Sequence, residues 1–466
     1  MAFIRSFGAV GVVTGSTHLL TLDNGKKILI DCGMFQGENE SKNIKSLEFD
    51  PSEVDWLIFT HAHLDHVGRA PILYKEGFRG KIVATRPTIE LSRVVLLDSA
   101  HLAKEEYYTY YKKAQRKGEE DLIKPPLYTA QDVESFLTLK KIYAIYSTPI
   151  VLQKDLIVTF YNAGHILGSS FVEICFKENG VDKVVVFSGD LGNKNDIVLP
   201  FPQNGKKADA LYIESTYGDR NHKNMKKSIK EFKKAILKTL KNGGIVLIPS
   251  FAIERTQELL SIFKLMYKSG ELPSSCKIFL DSPMAIRATN IYNKYANELS
   301  ELCQNFLEED GSVFDFPQLE FTQTQKESMK INKIQDNAII IAGSGMCNGG
   351  RILQHFKHRL WNKKNAVLFV GYQAKGTLGR RIVDGTKWVK FYNEQIKIKA
   401  NIHTINGFSA HADQSELIKW IKHFDRLGKI FLIHGEKDKQ IIFKKAIKNK
   451  LGKKAHIIEK EDEIYV

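Results

Sequence analysis

Residues 61–66 carry three histidines and an aspartate in the order His-Ala-His-Leu-Asp-His. They directly follow residues 54–60, an apolar run typical of a buried β-strand. Neutral imidazoles and carboxylates are ligands that zinc prefers, and alternate residues of such a segment can face different ions. A lone histidine in a loop is usually an ordinary surface or core residue. This dense cluster instead predicts a metal site where a strand ends.

Further candidate ligands follow other strand-like runs along the chain. The runs and the residues that follow them are 27–30 with Asp31, 155–160 with His165, 183–187 with Asp190, and 429–433 with His434. Each of these residues alone could be a turn residue or a hydrogen-bonded polar group. Because the ends of neighbouring strands meet at one edge of a sheet, we expect the set to converge on a single site.

The number of candidate ligands predicts two zinc ions rather than one. The predicted set is His61, His63 and His165 for the first ion, Asp65, His66 and His434 for the second, and Asp190 as a bridge. Two ions about 3.5–4 Å apart suit displacement reactions at phosphorus or at a carbonyl carbon. Mn²⁺ could replace zinc at nitrogen and oxygen ligands. Asp31 is expected behind the ligands, where it would orient a ligating imidazole.

These residues resemble a known superfamily. Segment 61–66, the segments 163–169 (AGHILGS) and 188–193 (SGDLGN), and the later His434 are similar to the metallo-β-lactamase superfamily. That superfamily includes lactamases, thioesterases, flavodiiron proteins and nucleases. Flavodiiron proteins carry a glutamate in place of the second histidine, so His63 argues against that redox branch. The resemblance implies a dinuclear metallohydrolase and leaves the substrate open.

Three later segments narrow the resemblance. Residues 214–220 (ESTYGDR), 407–413 (GFSAHAD) and 432–436 (LIHGE) look like the signature motifs of the β-CASP nucleases. The similarity continues through residues 127–129, 249–252, 281–285, 343–351 and 371–379. It covers nearly the whole chain and is closest to the RNA-processing group that includes the nuclease subunit of the cleavage and polyadenylation machinery.

The resemblance also implies roles for individual residues. It makes His411 a catalytic imidazole near the leaving oxygen, acting as general acid, with Glu214 orienting it and keeping it protonated. Proton donation of this kind contributes about 10²–10⁴-fold, and a neighbouring carboxylate raises an imidazole pKa. Asp65 joins them among the predicted catalytic residues. The RNA-acting branch carries a histidine in its last motif, whereas the DNA-processing branch has an apolar residue there. His434 therefore favours RNA.

Substrate contacts are less sharply indicated. The candidates are Ser250, Arg255, Ser344 and Arg351. The glycine-rich segment 343–350 could present backbone N–H groups to a phosphate, or it could be a tight turn that leads into a helix. Arg255 could contact the RNA backbone or form an ordinary ion pair.

Composition is consistent with a polyanionic partner. The 466-residue chain has 68 Lys and Arg against 53 Asp and Glu, a formal net charge of +15. The electrostatic field of this positive charge attracts nucleic acid. A generally lysine-rich composition could also give the same charge without a nucleic-acid partner. The lysine-rich stretches 223–241 and 439–454 fit amphipathic helices with a solvated face better than they fit an RNA track.

The rest of the sequence predicts where the protein resides. Its five cysteines form no CxxC pair, which fits a reducing compartment. We find neither a signal peptide nor a membrane-spanning run, and so expect a cytoplasmic protein without a membrane partner. The family resemblance suggests a homodimer.

The expected fold is α/β: a metallo-β-lactamase αββα sandwich with an inserted α/β β-CASP domain. We predict residues 1–215 as the first part of the sandwich, 216–389 as the insertion and 390–466 as the remainder. The strand pattern begins near Met1 and the chain ends soon after the last motif. We therefore expect neither an N-terminal RNA-binding extension nor the additional C-terminal domain found in some relatives.

The leading functional hypothesis is a zinc-dependent ribonuclease that leaves 5′-phosphate and 3′-hydroxyl ends, in RNA processing or decay. The sequence leaves open whether it cuts internally, as an endonuclease, or also as a 5′-exonuclease. A DNA nuclease on the same scaffold is one alternative. A catalytically inactive RNA-binding scaffold subunit is another, but such relatives have lost ligands that this chain retains. The long insertion before His434 argues against a small-molecule thioesterase or lactamase.

Overall fold

The computed structural model describes residues 1–194, 196–391, 393–405, 407–460 and 462–466. They form two compact units. Unit 1 comprises Met1–Lys194, Phe201–Asn221 and His411–Val466, and unit 2 comprises Asn195–Pro200 and His222–Ala410. Unit 2 is therefore an insertion in the sequence of unit 1. The domain bounds expected from the sequence, at 215/216 and 389/390, stay a prediction.

The β-strands have the following bounds. They are β1 (Phe3–Gly8), β2 (Thr17–Thr21), β3 (Lys27–Ile30), β4 (Trp56–Ile58), β5 (Lys81–Thr85), β6 (Lys141–Ala144), β7 (Ile150–Gln153), β8 (Leu156–Asn162), β9 (Ser170–Glu178), β10 (Val181–Phe187), β11 (Lys207–Glu214), β12 (Ile245–Pro249), β13 (Lys277–Asp281), β14 (Leu319–Phe321), β15 (Ala338–Ala342), β16 (Ala366–Phe369), β17 (Trp388–Phe391), β18 (Glu394–Lys397), β19 (Asn401–Thr404), β20 (Arg426–Ile433), β21 (Ala455–Ile457) and β22 (Glu463–Tyr465).

The α-helices have the following bounds. They are α1 (Leu64–Val67), α2 (Ala70–Lys75), α3 (Arg86–Gln115), α4 (Ala130–Phe136), α5 (Met225–Lys241), α6 (Arg255–Lys268), α7 (Pro283–Lys294), α8 (Glu301–Asp310), α9 (Gln325–Ile331), α10 (Ile352–Arg359), α11 (Leu378–Val383), α12 (Gln414–Lys422) and α13 (Lys437–Leu451). Among the described residues, no helix is long and apolar enough to cross a membrane.

Unit 1 is a sandwich of two sheets. Within the described part of the chain, each sheet has seven strands, in the orders β22-β1-β2-β3-β4-β5-β6 and β21-β20-β11-β10-β9-β8-β7. The first sheet contributes Ile28 and Ile58 to a shared core, and the second contributes Val158 and Tyr212. Because apolar side chains of both sheets meet in one cluster, the two sheets pack face to face.

The second sheet is covered on both faces, which explains its almost unbroken apolar runs. In β10, Val185 and Phe187 point into the core between the sheets, whereas Val184 and Val186 join a second cluster. Helices α12 and α13 complete that second cluster with the side chains of Leu417, Trp420, Ile421, Phe443 and Ile447. Successive residues of a strand face opposite sides, so a doubly covered strand must be apolar at every position. These layers confirm the predicted α/β sandwich.

Unit 2 is built on a parallel sheet. Within its described residues, six strands lie in the order β14-β13-β15-β12-β16-β19, and each neighbouring pair is parallel. Helix α5 buries Met225, Phe232, Ile236 and Leu240, and its lysines lie mainly on the exposed side. This is the amphipathic helix that the spacing of its apolar residues predicts.

Candidate metal centre

The predicted ligands of unit 1 lie where strands end. His61 and His63 follow β4, and Asp65 and His66 lie in the short helix α1 that comes next. The others follow further strands: His165 comes after β8, Asp190 after β10 and His434 after β20. All of these side chains except His63 and Asp65 are buried. Separate segments of the sequence thus deliver nitrogen and oxygen atoms to one place.

The first group of side chains comprises His61, His63, His165 and Asp190, each with a ligand atom within 4.8 Å of the others. Nδ1 of His63 lies 3.2 Å from Nε2 of His61 and 3.1 Å from Nε2 of His165. Oδ2 of Asp190 lies 3.4 Å from Nε2 of His61 and 3.5 Å from Nε2 of His165. Three ring nitrogens and a carboxylate oxygen are therefore close enough together to bind one cation with tetrahedral coordination.

The second group comprises Asp65, His66 and His434, again within 4.8 Å. Nε2 of His434 lies 3.1 Å from Nε2 of His66 and 3.4 Å from Oδ2 of Asp65. Oδ1 of Asp190 lies 3.4 Å from Nε2 of His66, so this one carboxylate faces both groups. The same Oδ1 atom is buried and accepts no hydrogen bond from the described residues. A buried carboxylate oxygen without a donor fits a cation.

The protonation of the first group suits a metal. Burial lowers the pKa of His61 to about 3 and that of His63 to about 4, and it holds the pKa of His165 well below the ordinary value. These imidazoles are therefore neutral at physiological pH, which is the form that binds metals. Burial alone would raise the pKa of Asp190, but the imidazoles around it, His434 foremost, lower that pKa.

His66 differs from the other histidines of the site. Burial opposes its charge, but the carboxylates of Asp190 and Asp31 outweigh burial and raise its pKa. Nδ1 of His66 lies 2.7 Å from Oδ2 of Asp31. Asp31 also accepts hydrogen bonds from the amide and the hydroxyl of Thr60, both at 2.8 Å. The carboxylate thus fixes Nδ1 of His66 and leaves Nε2 directed at His434 and Asp190, the geometry expected of a residue that orients a ligand.

The predicted acid–base pair lies beside the first group. Nδ1 of His411 lies 3.2 Å from Oε2 of Glu214 and 4.0 Å from Oδ2 of Asp190. Glu214 is fully buried at the end of β11 and accepts a hydrogen bond from the amide of Leu191 at 2.7 Å. Burial alone would lower the pKa of His411, but the carboxylates of Glu214, Asp190 and Asp65 outweigh it and raise the pKa to about 9.

Two supporting residues are not identified by the sequence analysis. The hydroxyl of Thr60 lies 3.1 Å from Nδ1 of His61, in addition to its bonds to Asp31. The hydroxyl of Thr216 lies 3.0 Å from Nδ1 of His434. Thr60 immediately precedes the histidine cluster, and Thr216 lies inside the segment 214–220. That adjacency is the signal that could have identified them.

The predicted substrate contacts all lie in unit 2. Ser250 is buried, and its hydroxyl lies 3.1 Å from that of Thr256. The guanidinium of Arg255 is buried and pairs with Glu254 and Glu258.

The other two predicted contacts lie on the loop between β15 and α10. The amide of Ser344 donates to the carbonyl of Gly349 at 3.3 Å. Arg351 donates to Asp281 at 2.7 Å and to the carbonyls of Thr322 and Gln323. These bonds stabilise unit 2, and roles of the four residues toward a substrate stay a prediction.

Family models match three stretches of the chain. The metallo-β-lactamase superfamily matches residues 10–143, the Beta-Casp domain matches 256–382, and a model described as a Zn-dependent metallo-hydrolase RNA specificity domain matches 395–458. Together with the two-sheet sandwich and the His/Asp cluster at its strand ends, these matches identify a metal-dependent hydrolase.

Similar proteins cover almost the whole chain. Ribonuclease TTHA0252 of Thermus thermophilus is 39% identical over 444 residues, 95% of each chain. The RNase J-like protein of Methanocaldococcus jannaschii is 33% identical, over 90% of this chain and 89% of its own. The transcription termination factor FttA of Cenarchaeum symbiosum is 31% identical, over 99% of this chain and 70% of its own. The chain belongs to the β-CASP RNA-processing nucleases of the metallo-β-lactamase superfamily. The family implies an RNA substrate, and its zinc-dependent character fits the His/Asp cluster.

Proposed function

We propose that this protein hydrolyses internal phosphodiester bonds of RNA with the site in unit 1, leaving 5′-phosphate and 3′-hydroxyl ends. One observation carries the proposal: the histidine–carboxylate pair of His411 and Glu214 lies directly beside a cluster of metal-type ligands. The cluster supplies a place for cations, and the pair supplies a positioned proton donor. Phosphodiester hydrolysis requires both.

Two zinc ions are part of the proposal. His61, His63 and His165 would hold one ion, Asp65, His66 and His434 would hold the other, and Asp190 would serve both. The spacing of the donor atoms in the two groups and the two-sided position of Asp190 support this assignment. When bound, such ions lower the pKa of water and stabilise negative charge on phosphoryl oxygens. Mn²⁺ at the same ligands is compatible with the donor set.

The reaction also needs a proton for the departing 3′ oxygen, because an alkoxide is a poor leaving group. His411 supplies that proton. Glu214 accepts from Nδ1 of His411, so the proton to be transferred is the one on Nε2. The bond from the amide of Leu191 holds the Glu214 carboxylate in place and thereby fixes the plane of the imidazole. Asp65, next to His434, adds negative charge that favours the protonated form of His411.

The names of similar proteins support an RNA role. One is called a ribonuclease and others a transcription termination factor. We infer that this chain acts in RNA processing, decay or termination, and that it cuts internally without requiring a free RNA end. A homodimer and a cytoplasmic location are further expectations, which sedimentation and cell fractionation would test.

The experiment compares matched RNA and DNA oligonucleotides of one sequence, labelled at the 3′ end, with the zinc-loaded protein. We expect faster cleavage of RNA and products that a phosphate-specific 5′-exonuclease degrades. Cleavage that favours DNA would overturn the RNA assignment. Products with 5′-hydroxyl ends would overturn the proposed direction of bond breaking. Binding of RNA without cleavage by the metal-loaded protein would indicate a scaffold subunit.

A further inference from the structure

Three glycine-rich or aromatic segments meet at one edge of the unit 2 sheet. Phe251 follows β12, the loop 343–350 follows β15, and the loop 371–377 follows β16. The three strands are parallel neighbours, so all three segments lie at their carboxyl ends. The mechanism derived for unit 1 uses none of these residues.

This edge is also where the strand order reverses. From β12 the chain crosses to β13, which lies beyond β15, and from β15 it crosses to β16 on the far side of β12. The connections that leave the adjacent strands β12 and β15 therefore run in opposite directions. In open α/β sheets, ligands bind in the crevice that forms at such a point, outside the carboxyl ends of the strands.

Phe251 lies at this crevice and is 43% exposed. A Cβ atom on Gly345 would lie 2.8 Å from the ring, and one on Gly371 would lie 3.5 Å from it. The absence of a side chain at Gly345 allows the ring to pack directly on the backbone of that loop, whereas a Cβ atom at Gly371 would meet the ring at ordinary van der Waals distance. The part of Phe251 that the loops leave uncovered is open to solvent and can contact a ligand.

The surrounding bonds hold Phe251 and its supports in fixed positions. The carbonyl of Phe251 accepts from the hydroxyl of Thr256 at 2.6 Å. The side-chain amide of Gln373 donates to the carbonyl of Gly345 at 2.9 Å, and the amide of Gly379 donates to the carbonyl of Met346 at 3.2 Å. The two loops are therefore tied together around the ring. A binding surface of this kind loses little conformational entropy when a ligand arrives.

The chemistry of the neighbours favours a nucleobase. Tyr372, next to Gly371, is 53% exposed, and Lys375 on the same loop is also exposed. Exposed aromatic rings with a nearby cation are the elements that bind single-stranded nucleic acid, because bases stack on the rings and phosphates pair with the cation. The chain as a whole has a net charge of +15, which complements a polyanion.

We propose that Phe251 is a stacking site for an unpaired base of the RNA substrate, with Tyr372 and Lys375 at its border. The inference rests on the proposed function and names a feature of its substrate, a single-stranded segment. Because every base has a π-face, the site accepts all four bases and reads the absence of pairing rather than sequence.

The test measures binding of a fluorescein-labelled single-stranded decamer by anisotropy, using phosphorothioate-linked RNA to slow turnover. We expect Phe251→Ala to raise Kd about 5- to 150-fold, the range of one base–aromatic stack. Phe251→Trp keeps the stack and should bind like the wild type. Phe251→Leu keeps apolar packing on the two glycines, so it should fold normally and yet bind weakly.

The matched control is Trp361→Ala. Trp361 is 55% exposed and lies between α10 and β16, at the opposite edge of the same sheet. Its replacement should leave Kd unchanged.

An abasic scan of the same decamer ties the effect to one base. For the wild type, removing the base at the stacked position should weaken binding, and in Phe251→Ala the same removal should cost nothing more. Unchanged Kd in both Phe251→Ala and Phe251→Leu would overturn the inference and leave a protein partner for this surface. The inference would also be overturned if each base removal raised Kd by the same factor in the wild type and in Phe251→Ala. RNA that binds through Phe251 but is never cleaved would contradict the proposed hydrolysis and still support stacking.

Discussion

His411 and Glu214 are 197 positions apart in the sequence, and in the structure Nδ1 of the imidazole lies 3.2 Å from Oε2 of the carboxylate. Glu214 ends strand β11, and His411 pairs through its backbone with Gly192, close to Asp190. The pair is thus anchored by backbone structure on both sides. In the proposed reaction, an imidazole so held needs no rearrangement before it donates its proton.

Replacement of His411 tests this role. We expect His411→Ala to lower kcat for RNA cleavage by about 10²–10⁴-fold, because the leaving oxygen loses its proton donor. The zinc content should be unchanged, since the proposed ligand set does not include His411. Single-turnover cleavage together with metal analysis of the same preparation checks both statements. Normal turnover in this variant would exclude His411 as the acid.

Asp31 should affect the metal rather than the chemistry. Asp31→Ala removes the acceptor that fixes Nδ1 of His66, and we expect zinc affinity to fall about 10- to 100-fold. Competition with a chromophoric chelator measures that affinity. Asp23→Ala is the matched control, because Asp23 is exposed in the turn between β2 and β3. Equal affinities in the two variants would contradict the role of Asp31.

Gly33 allows a close approach that the site depends on. A Cβ atom at this position would lie 1.6 Å from the backbone oxygen of Asp65. We therefore expect Gly33→Ala to displace the start of α1, with weaker zinc binding and a lower melting temperature. Gly349→Ala serves as control, since nothing lies within 4 Å of its added Cβ. Full zinc binding by Gly33→Ala would show that α1 can shift without disturbing its ligands.

Unit 2 contains a cluster of buried carboxyl groups with a predictable effect of pH. Burial, with the nearby Glu258 and Asp196, raises the pKa of Glu254 well above 4.5 despite Arg255. The folded state therefore retains a proton that the unfolded state has released. The contribution of Glu254 to the free energy of unfolding is therefore largest at low pH. It is lost as the pH rises above 4.5 and through the raised pKa of this group.

Thermal unfolding between about pH 5 and pH 9 measures this effect. The melting temperature of the wild type should fall across this window, and Glu254→Gln, which keeps an uncharged hydrogen-bonding group, should flatten the profile. Glu301→Gln, at an exposed position in the first turn of α8, should leave the profile unchanged. A slope that is the same in Glu254→Gln and the wild type would contradict the assignment.

The sequence predicts the parts of this protein that depend on local pattern. The candidate ligands of segment 61–66 lie close together in the chain. Each of the other candidate ligands follows an apolar run. Their convergence can therefore be predicted from the rule that the ends of neighbouring strands meet at one edge of a sheet. The layers of unit 1 follow for the same reason, because apolar runs such as that of β10 require cover on both faces.

The pairings that the sequence does not reveal are those set by tertiary packing. The bond of Arg351 to Asp281 spans 70 positions, and nothing in either segment indicates the other. The hydroxyl of Thr216 reaches His434 across 218 positions. In the sequence, the position of Arg351 next to the glycine-rich segment 343–350 suggests a phosphate contact. Only the structure shows that Arg351 already binds the carboxylate of Asp281.

Metal-dependent internal cleavage is tested with a circular RNA, incubated with the protein as prepared, after treatment with a chelator, and after zinc is returned. We predict that the circle is opened, that the chelator stops the reaction, and that zinc restores it, with 5′-phosphate on the linear product. A circle that stays intact, while a linear RNA of the same sequence is degraded from its 5′ end, would contradict internal cleavage. Cleavage that persists in the presence of chelator would contradict the metal centre itself.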